Sequence, residues 1–146
     1  AGRPASQAAL RARITVTDKT RVTALARGLL NAKGSARLQL ATQRDIDVAP
    51  QGASALRVWH LSPDAPRVDV FVDGKRVVAG LRYTAASPYL TLAPGTYRVQ
   101  VRVAGTPTVV FSGRVTTRAN RAYSASALGS VSGKGAGFRV SVLGDA

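Results

Sequence analysis

One short stretch of the chain gathers the residue types that most often carry out chemistry. The segment "WHLSPDAPRVDVFVDGKRVV", residues 59–78, contains the only Trp, the only His and three of the seven acidic residues. A hydrolytic triad would need His60 as its base, beside a nucleophile and an orienting acid. The nucleophile motif GxSxG is missing, since "GSVSG" at residues 129–133 has Ser at its second and fourth positions. We therefore interpret His60 as a half-buried strand residue whose ring bonds to the following turn.

The acidic residues of this stretch are Asp64, Asp69 and Asp73, and their pattern matches no carboxylate site. A calcium loop of the EF-hand type needs closely spaced acidic ligands and a distal Glu, and this chain has no Glu. Glycoside hydrolysis needs a carboxyl group whose pKa is raised, whereas a strongly positive chain lowers carboxyl pKa values. The sequence therefore predicts structural roles for these acids, with no catalytic residue, no metal site and no cofactor.

Turn chemistry accounts for most of these unusual residues. Proline fixes φ and aspartate caps nearby backbone N–H groups, so "SPDAP" predicts a rigid corner between two strands. A two-residue Asp-Gly loop predicts a type I′ hairpin, and Pro-Gly predicts a type II turn in which Gly takes a positive φ. The predicted structural turn residues are Ser62, Pro63, Asp64, Ala65 and Pro66 in the corner, Asp73 and Gly74 in the hairpin, and Pro94 and Gly95 in the later turn.

From residue 55 onward the chain has the alternation of β-strands. In "PRVDVFV" the three Val side chains point to one face, and "TYRVQVRV" repeats the pattern with Arg and Gln on the other face. About eight to ten short strands, separated by turn signals every eight to twelve residues, predict an all-β sandwich or barrel. Apart from the hairpins, the pattern does not predict the strand order.

The first fifty residues are organised differently. We predict a flexible or partner-docked tail at residues 1–9, an extension at residues 10–50 and a sandwich domain at residues 51–146. The extension begins with "LRARITVTD", which alternates like a strand. Residues 20–34 have two interpretations. Val22, Leu25 and Leu29 lie at helical spacing, but β-branched residues at the start and Gly28 in the middle favour a strand.

Composition excludes several classes of protein. There is no Cys, hence no disulfide or thiolate site, and no apolar run of about 18 residues predicts a membrane-spanning segment. The chain begins with Ala and has no Met, which fits removal of a signal peptide, although trimming in the cytoplasm gives the same N-terminus. We favour the first interpretation, which predicts an extracellular or cell-surface location.

The net charge of +14 predicts attraction to nucleic acid, acidic polysaccharide or anionic lipid. The basic residues are nevertheless spread evenly along the sequence, without a run of adjacent basic residues. An even spread favours a solvated surface over a dedicated site.

The motifs together resemble a known family. "LRVWHLSPDAPRVDVFVDGKRVV" and "YLTLAPGTYRVQV" are similar to the signature of the bacterial and archaeal domain-of-unknown-function family numbered 4397, over roughly residues 55–143. The resemblance implies an exported, often tandem, immunoglobulin-like β-sandwich of short antiparallel strands, here with an N-terminal extension. It carries over no catalytic residue. Residues 1–50 lie outside the family pattern, and the basic charge is atypical for it.

These observations favour a non-enzymatic, exported structural protein that joins copies of itself into a surface filament. The expected device is strand donation, in which one subunit's segment adds to an open sheet edge of the next. Residues 10–17, "LRARITVT", are the expected assembly strand, because one face would carry Leu10, Ala12, Ile14 and Val16. An ordinary first strand in the chain's own sheet is the competing interpretation. The alternative function is a surface binding module for acidic polysaccharide or nucleic acid.

Overall fold

The chain is built from strands and turns in the computed structural model, which describes residues 10–18, 20–29, 33–34, 37–46, 49–133 and 137–145. The predicted all-β class is confirmed. Over these ranges no helix is long and apolar enough to cross a bilayer. The chain divides into two compact units, Ala1–Asp45 and Ile46–Ala146.

The described residues of the first unit form one antiparallel pair of strands, β1 (Val22–Arg27) and β2 (Gln39–Arg44). The helical interpretation of residues 20–34 is therefore wrong for the part that the structure describes. Gly28, with φ of 92°, follows β1 directly and takes a backbone conformation that an α-helix does not allow.

Within the described part of the second unit, eight strands form two sheets. The first sheet has the order β10-β9-β3-β6, and the second sheet has the order β5-β4-β7-β8. The chain passes from one sheet to the other after β3, β5, β6 and β8. The strands are β3 (Ser54–His60), β4 (Val68–Val72), β5 (Lys75–Leu81), β6 (Leu90–Leu92), β7 (Gly95–Val103), β8 (Val109–Thr117), β9 (Arg121–Leu128) and β10 (Arg139–Gly144).

One pairing departs from the predicted antiparallel arrangement. β3 runs parallel to β9, with Ser54 opposite Arg121 and His60 opposite Ala127. Parallel neighbours need a long connection, and here the chain forms β4 to β8 between β3 and β9. No tight turn joins the two strands, so the local turn signals in the sequence could not reveal this pairing.

The core of the second unit lies between its two sheets. Alternate side chains of β4 and β7, among them Val70, Val99 and Val101, pack against Leu56 and Val58 of β3. Each of these side chains is almost completely buried, which contributes about 1.5–3 kcal/mol apiece. The same alternation sends the other side chains of β4 and β7 to the outer face of the second sheet.

Candidate functional site

His60 is held in a structural role at the end of β3. The side chain is fully buried; its Nε2–H donates to the Pro66 carbonyl at 2.9 Å, and its Nδ1 accepts the Ser62 N–H at 3.4 Å. Burial lowers the pKa of His60, and the hydrogen bond to Pro66 only partly opposes this shift. The ring is thus more deeply buried than the half-buried position we predicted, and both of its nitrogen atoms are occupied by the following turn.

The predicted corner, Ser62 to Pro66, connects β3 of the first sheet to β4 of the second. Pro63 and Asp64 lie in a turn, and Ala65 is buried. Ser62 is also fully buried, and its hydroxyl donates to the carbonyl of Gly129 at 2.6 Å. The corner is therefore fastened to the loop that follows β9.

Asp64 accepts the Ser62 hydroxyl at 3.3 Å, but most of its hydrogen bonds are with a distant loop. Its carboxylate accepts the N–H groups of Val131 and Ser132 at 3.1 and 3.2 Å, and the hydroxyl groups of Ser130 and Ser132. Desolvation alone would raise the pKa of Asp64, but these four hydrogen bonds hold it well below its ordinary value. A carboxylate that accepts this many donors has few lone pairs left for a cation.

Asp73 and Gly74 form the two-residue loop between β4 and β5, with Val72 opposite Lys75. Their φ angles are 47° and 82°, and two positive values are what a type I′ turn requires. Asp73 also accepts the backbone N–H of Arg98 at 2.7 Å, which ties the hairpin to β7.

Pro94 and Gly95 do not form the predicted type II turn. Gly95 is the first residue of β7 and does not have the positive φ that the turn requires. The strands on either side, β6 and β7, belong to different sheets, so the segment is a crossing and not a hairpin loop. The Tyr97 hydroxyl donates to the Ala93 carbonyl and fastens this crossing.

Asp69 is also structural. It is 4% exposed and accepts the backbone N–H groups of Gly80 and Gly105 at 2.7 and 3.3 Å. The Gly80 N–H lowers the pKa of Asp69 most; desolvation opposes this, while Gly105 and the Arg76 guanidinium lower it further. In the part of the chain that the structure describes, no three His or Asp side chains come together in a group that could hold a metal ion.

Sequence reasoning missed a buried ion pair on the first sheet. Arg57 of β3 is 1% exposed, and one of its guanidinium nitrogens lies 3.8 Å from the Asp145 carboxylate. Ser124 and Tyr89 also donate to that carboxylate, at 2.7 and 2.8 Å. The guanidinium lies 5.3 Å from the Trp59 ring and 4.9 Å from the Tyr89 ring, within the range of cation–π contacts. The only signal was an Arg inside the otherwise apolar "ALRVWHL".

The outer face of the second sheet gathers arginines that are far apart in the sequence. Arg98 of β7 lies directly opposite Arg114 of β8, and both side chains are exposed. Arg102 lies two outward positions along β7 from Arg98, and Arg76 of β5 is opposite Phe71 of β4. We call this set of four arginines with Phe71 the basic face. The even spread of charge along the sequence is not preserved in the fold.

Little negative charge balances the basic face. Asp69 is the acidic residue among its outward strand positions, and Arg76 lies 3.4 Å from it. Asp73 lies in the adjoining hairpin loop. No described carboxylate forms an ion pair with the guanidinium of Arg98 or Arg114. Like charges directly opposite each other on neighbouring strands are destabilising, so this pair weakens the sheet unless an anion lies between them.

The predicted assembly strand lies in the first unit. In the structure, no described strand contains Leu10, Ala12, Ile14 or Val16. This segment is therefore not an ordinary first strand of the chain's own sheet. Ile14 and Val16 are 39% and 56% exposed. No strand pairing among the described residues brings these four side chains together. None places them beside the predicted turn residues either.

The comparisons with known proteins show one family match. No curated protein matches the chain. The family described as Domain of unknown function (DUF4397) matches residues 54–145, from the first residue of β3 to the buried Asp145. Because the match covers more than half of the chain and almost the whole two-sheet unit, the chain belongs to the DUF4397 family.

Proposed function

We propose that this chain is a non-enzymatic module that binds acidic polysaccharide on the basic face. The observation that carries the proposal is the pairing of Arg98 with Arg114 in the register of β7 and β8. Two guanidinium groups side by side repel each other, and a sulfate or carboxylate between them would convert this repulsion into charge-assisted hydrogen bonds. The proposed location is extracellular or at the cell surface.

The chemistry of the face favours polysaccharide over nucleic acid. Proteins that bind single-stranded nucleic acid stack its bases on exposed aromatic rings. The aromatic ring on this face is Phe71, and the Arg102 guanidinium lies 4.1 Å from the centre of that ring. Arg102 also donates to Gln100 at 2.7 Å, which holds it in place. A base would have to displace this guanidinium, whereas an acidic sugar needs only the charges.

The non-enzymatic part of the proposal is supported by the hydrogen bonds that the His and Asp side chains already make within the fold. His60 bonds to backbone groups through both nitrogen atoms, and the carboxylates of Asp64 and Asp69 accept structural hydrogen bonds. A general base must reach a substrate proton, and a buried ring that bonds the following turn is poorly placed for that.

Binding to heparin at low salt tests the proposal. Arg98→Ser together with Arg114→Ser should weaken the affinity at least about tenfold, which corresponds to about 1.4 kcal/mol. The matched control is Arg82→Ser with Arg139→Ser, because it removes the same charge at two exposed positions outside the basic face. Equal affinities of the two double variants would refute the role of the face. Tighter binding of single-stranded DNA than of heparin would refute the choice of polysaccharide.

Strand donation between copies is a second candidate, supported by residues 10–17 and by an open acceptor edge. Ile14 and Val16 are exposed, and residues 10–17 are not part of a described strand. Sheet edges are usually protected by charge, bulges or short length. β5 carries Lys75 and Arg76, β6 has three residues and β8 has a register shift. By contrast, β10 exposes two apolar side chains near its end, Val142 and Leu143, which are 37% and 51% exposed. β10 is therefore the proposed acceptor edge.

Sedimentation of the full chain at increasing salt tests this candidate. Like-charged subunits repel, so salt should promote association if strand donation occurs. Ile14→Asp with Val16→Asp should abolish association, whereas Thr15→Asp with Thr17→Asp changes the opposite face and should preserve it. Removal of residues 1–17 should stop association without unfolding the protein. A full chain that stays monomeric at every salt and protein concentration would refute the candidate.

A further inference from the structure

A groove continues the basic face beyond the end of β8. Its open cavity, of about 570 Å³, is lined by Thr116, Arg118, Arg121, Tyr123, Gly144 and Asp145. Thr116 connects the two regions, because it lines the groove and lies two residues from Arg114 on the outward row of β8. It is opposite Thr96, with a side-chain hydrogen bond of 2.9 Å between the two threonines. The groove and the basic face therefore form one continuous surface.

The charge of the groove is positive. Arg118 and Arg121 are exposed, and neither forms an ion pair with any residue that the structure describes. The one carboxylate in the lining is that of Asp145, which already accepts hydrogen bonds from Ser124 and Tyr89 and pairs with Arg57. Two guanidinium groups thus face the groove without a local counterion.

The backbone that carries these two arginines is well anchored. The N–H of Arg118 donates to the Tyr123 hydroxyl at 3.1 Å. Asn120, between the two arginines, has a φ of 57°, donates its N–H to the Ala53 carbonyl at 2.7 Å, and accepts the Gly52 N–H at 2.8 Å. A fixed backbone reduces the entropy that a ligand must remove when it binds.

The spacing along the strands defines the shape of the ligand. Arg118 is four residues beyond Arg114, and Arg102 is four residues beyond Arg98 in the other direction, because β7 and β8 are antiparallel. At about 3.4 Å per residue, each interval is roughly 13–14 Å, and the whole row is roughly 27 Å long. A single small anion cannot contact all of these positions at once.

We infer that the groove binds one oxyanion group of a linear acidic polysaccharide whose other anionic groups lie along the basic face. This inference rests on the proposed function, and it adds Arg118 and Arg121 as specificity-determining residues for polymer length. Sulfate and carboxylate groups share the required chemistry, since a guanidinium binds either with paired hydrogen bonds.

A length series of oligosaccharides tests the inference on the full chain. Heparin fragments supply sulfate groups, whereas polygalacturonate fragments supply only carboxylates. Comparing the affinities for the two series shows which of these oxyanions the groove binds. With the unaltered protein, affinity should rise with fragment length until the fragment spans about 27 Å. With Arg118→Ser and Arg121→Ser together, affinity should fall roughly five- to tenfold for long fragments and remain unchanged for fragments shorter than about 13 Å.

The outcomes separate the groove from the basic face. If the groove double variant binds long fragments as well as the unaltered protein, while Arg98→Ser with Arg114→Ser binds them weakly, the inference is wrong and the proposed function stands. If neither double variant loses affinity, both are wrong. Equal thermal unfolding midpoints of the variants and the unaltered protein must accompany either result, so that a loss of affinity is not a loss of fold.

Discussion

At the scale of single residues, His60 shows how an imidazole is kept neutral by its surroundings. Its Nε2–H donates to the Pro66 carbonyl, and its Nδ1 accepts the Ser62 N–H. A second proton on the ring would occupy Nδ1 and break the bond from Ser62. Burial adds a desolvation cost to the charged form and lowers the pKa of the group. The residue therefore stabilises the corner only while it is uncharged.

This arrangement predicts a stability change in the pH range where histidine ordinarily titrates. Because the pKa of His60 is lower in the folded state, the unfolded state binds more protons below about pH 6.5, and the free energy of unfolding falls on acidification. The slope should reach at most about 1.4 kcal/mol per pH unit. His60→Gln, which removes the only His, should flatten it between pH 7 and 5 in chemical denaturation. An equal slope in both proteins would contradict this account.

Gly113 has a packing role that the sequence did not predict. A glycine inside an alternating strand often marks a bulge, but the register shift of β8 lies between Phe111 and Val109, and Gly113 pairs regularly with Val99. A Cβ atom at Gly113 would lie 2.6 Å from Cζ of the Phe111 ring. The glycine is therefore needed because the ring lies across it.

Gly113→Ala should accordingly lower the free energy of unfolding by about 1–3 kcal/mol, the usual cost of overpacking a core. Gly144→Ala is the matched control, since a Cβ there meets nothing within 4 Å and no positive φ is involved. Thermal unfolding should show a lower midpoint for Gly113→Ala. For Gly144→Ala the midpoint should shift by an amount that corresponds to less than about 0.5 kcal/mol in the free energy of unfolding. Similar midpoints for both variants would mean that Phe111 moves aside at no cost.

At the scale of elements, Asp64 joins the β3–β4 corner to the loop after β9. The bonds to Ser130, Val131 and Ser132 cross 66 to 68 residues of sequence. Because these bonds lower its pKa, the stability they supply is present above about pH 3.9 and is lost as the pH falls below that value. The negative charge of Asp64, and not only its shape, holds the loop.

Asp64→Asn should therefore loosen this loop at neutral pH. We expect hydrogen exchange at the amides of Val131 and Ser132 to speed up by roughly tenfold, equivalent to about 1.4 kcal/mol of local opening. Asp73→Asn is the matched control, because Asn also accepts a positive φ in a type I′ turn. Unchanged exchange at these two amides in Asp64→Asn, or the same change in Asp73→Asn, would rule out the charge as the cause.

The elements also show what the sequence could and could not predict. The Asp73-Gly74 hairpin was predictable because two residues alone fix its backbone geometry. The Pro94-Gly95 segment was not, because the same dipeptide fits a hairpin loop and a crossing between sheets, and only the position of β6 beside β3 distinguishes them. The role of Asp64 needed a contact with residues 130–132, which no local spacing reveals.

At the scale of the whole molecule, the same limit applies to charge. Arg76, Arg98, Arg102 and Arg114 look evenly spread in the sequence, and only the pairing of β4, β5, β7 and β8 brings them to one face. The outward direction of Arg98 and Arg102 was predictable from alternation, but the register that puts Arg114 opposite Arg98 was not. The net charge of +14 thus determines how strongly the protein attracts an acidic polymer, while the fold determines where that polymer binds.

Salt changes the two proposed functions in opposite directions. Binding of a polyanion releases counterions and weakens as salt increases. Association of subunits that each carry a charge of +14 is opposed by repulsion and strengthens as salt screens it. The sign of the salt dependence therefore separates a ligand on the basic face from strand donation to β10.

The most direct test of the central claim is the slope of log Kd for heparin against log salt concentration, measured from about 50 to 300 mM NaCl, where screening changes strongly. Each lost ion pair with a polyanion lowers the slope by about 0.7–1, so Arg98→Ser with Arg114→Ser should show a slope smaller by about 1.4–2 than the unaltered protein. Arg82→Ser with Arg139→Ser should keep the original slope. Identical slopes for both double variants would contradict a binding site on the basic face.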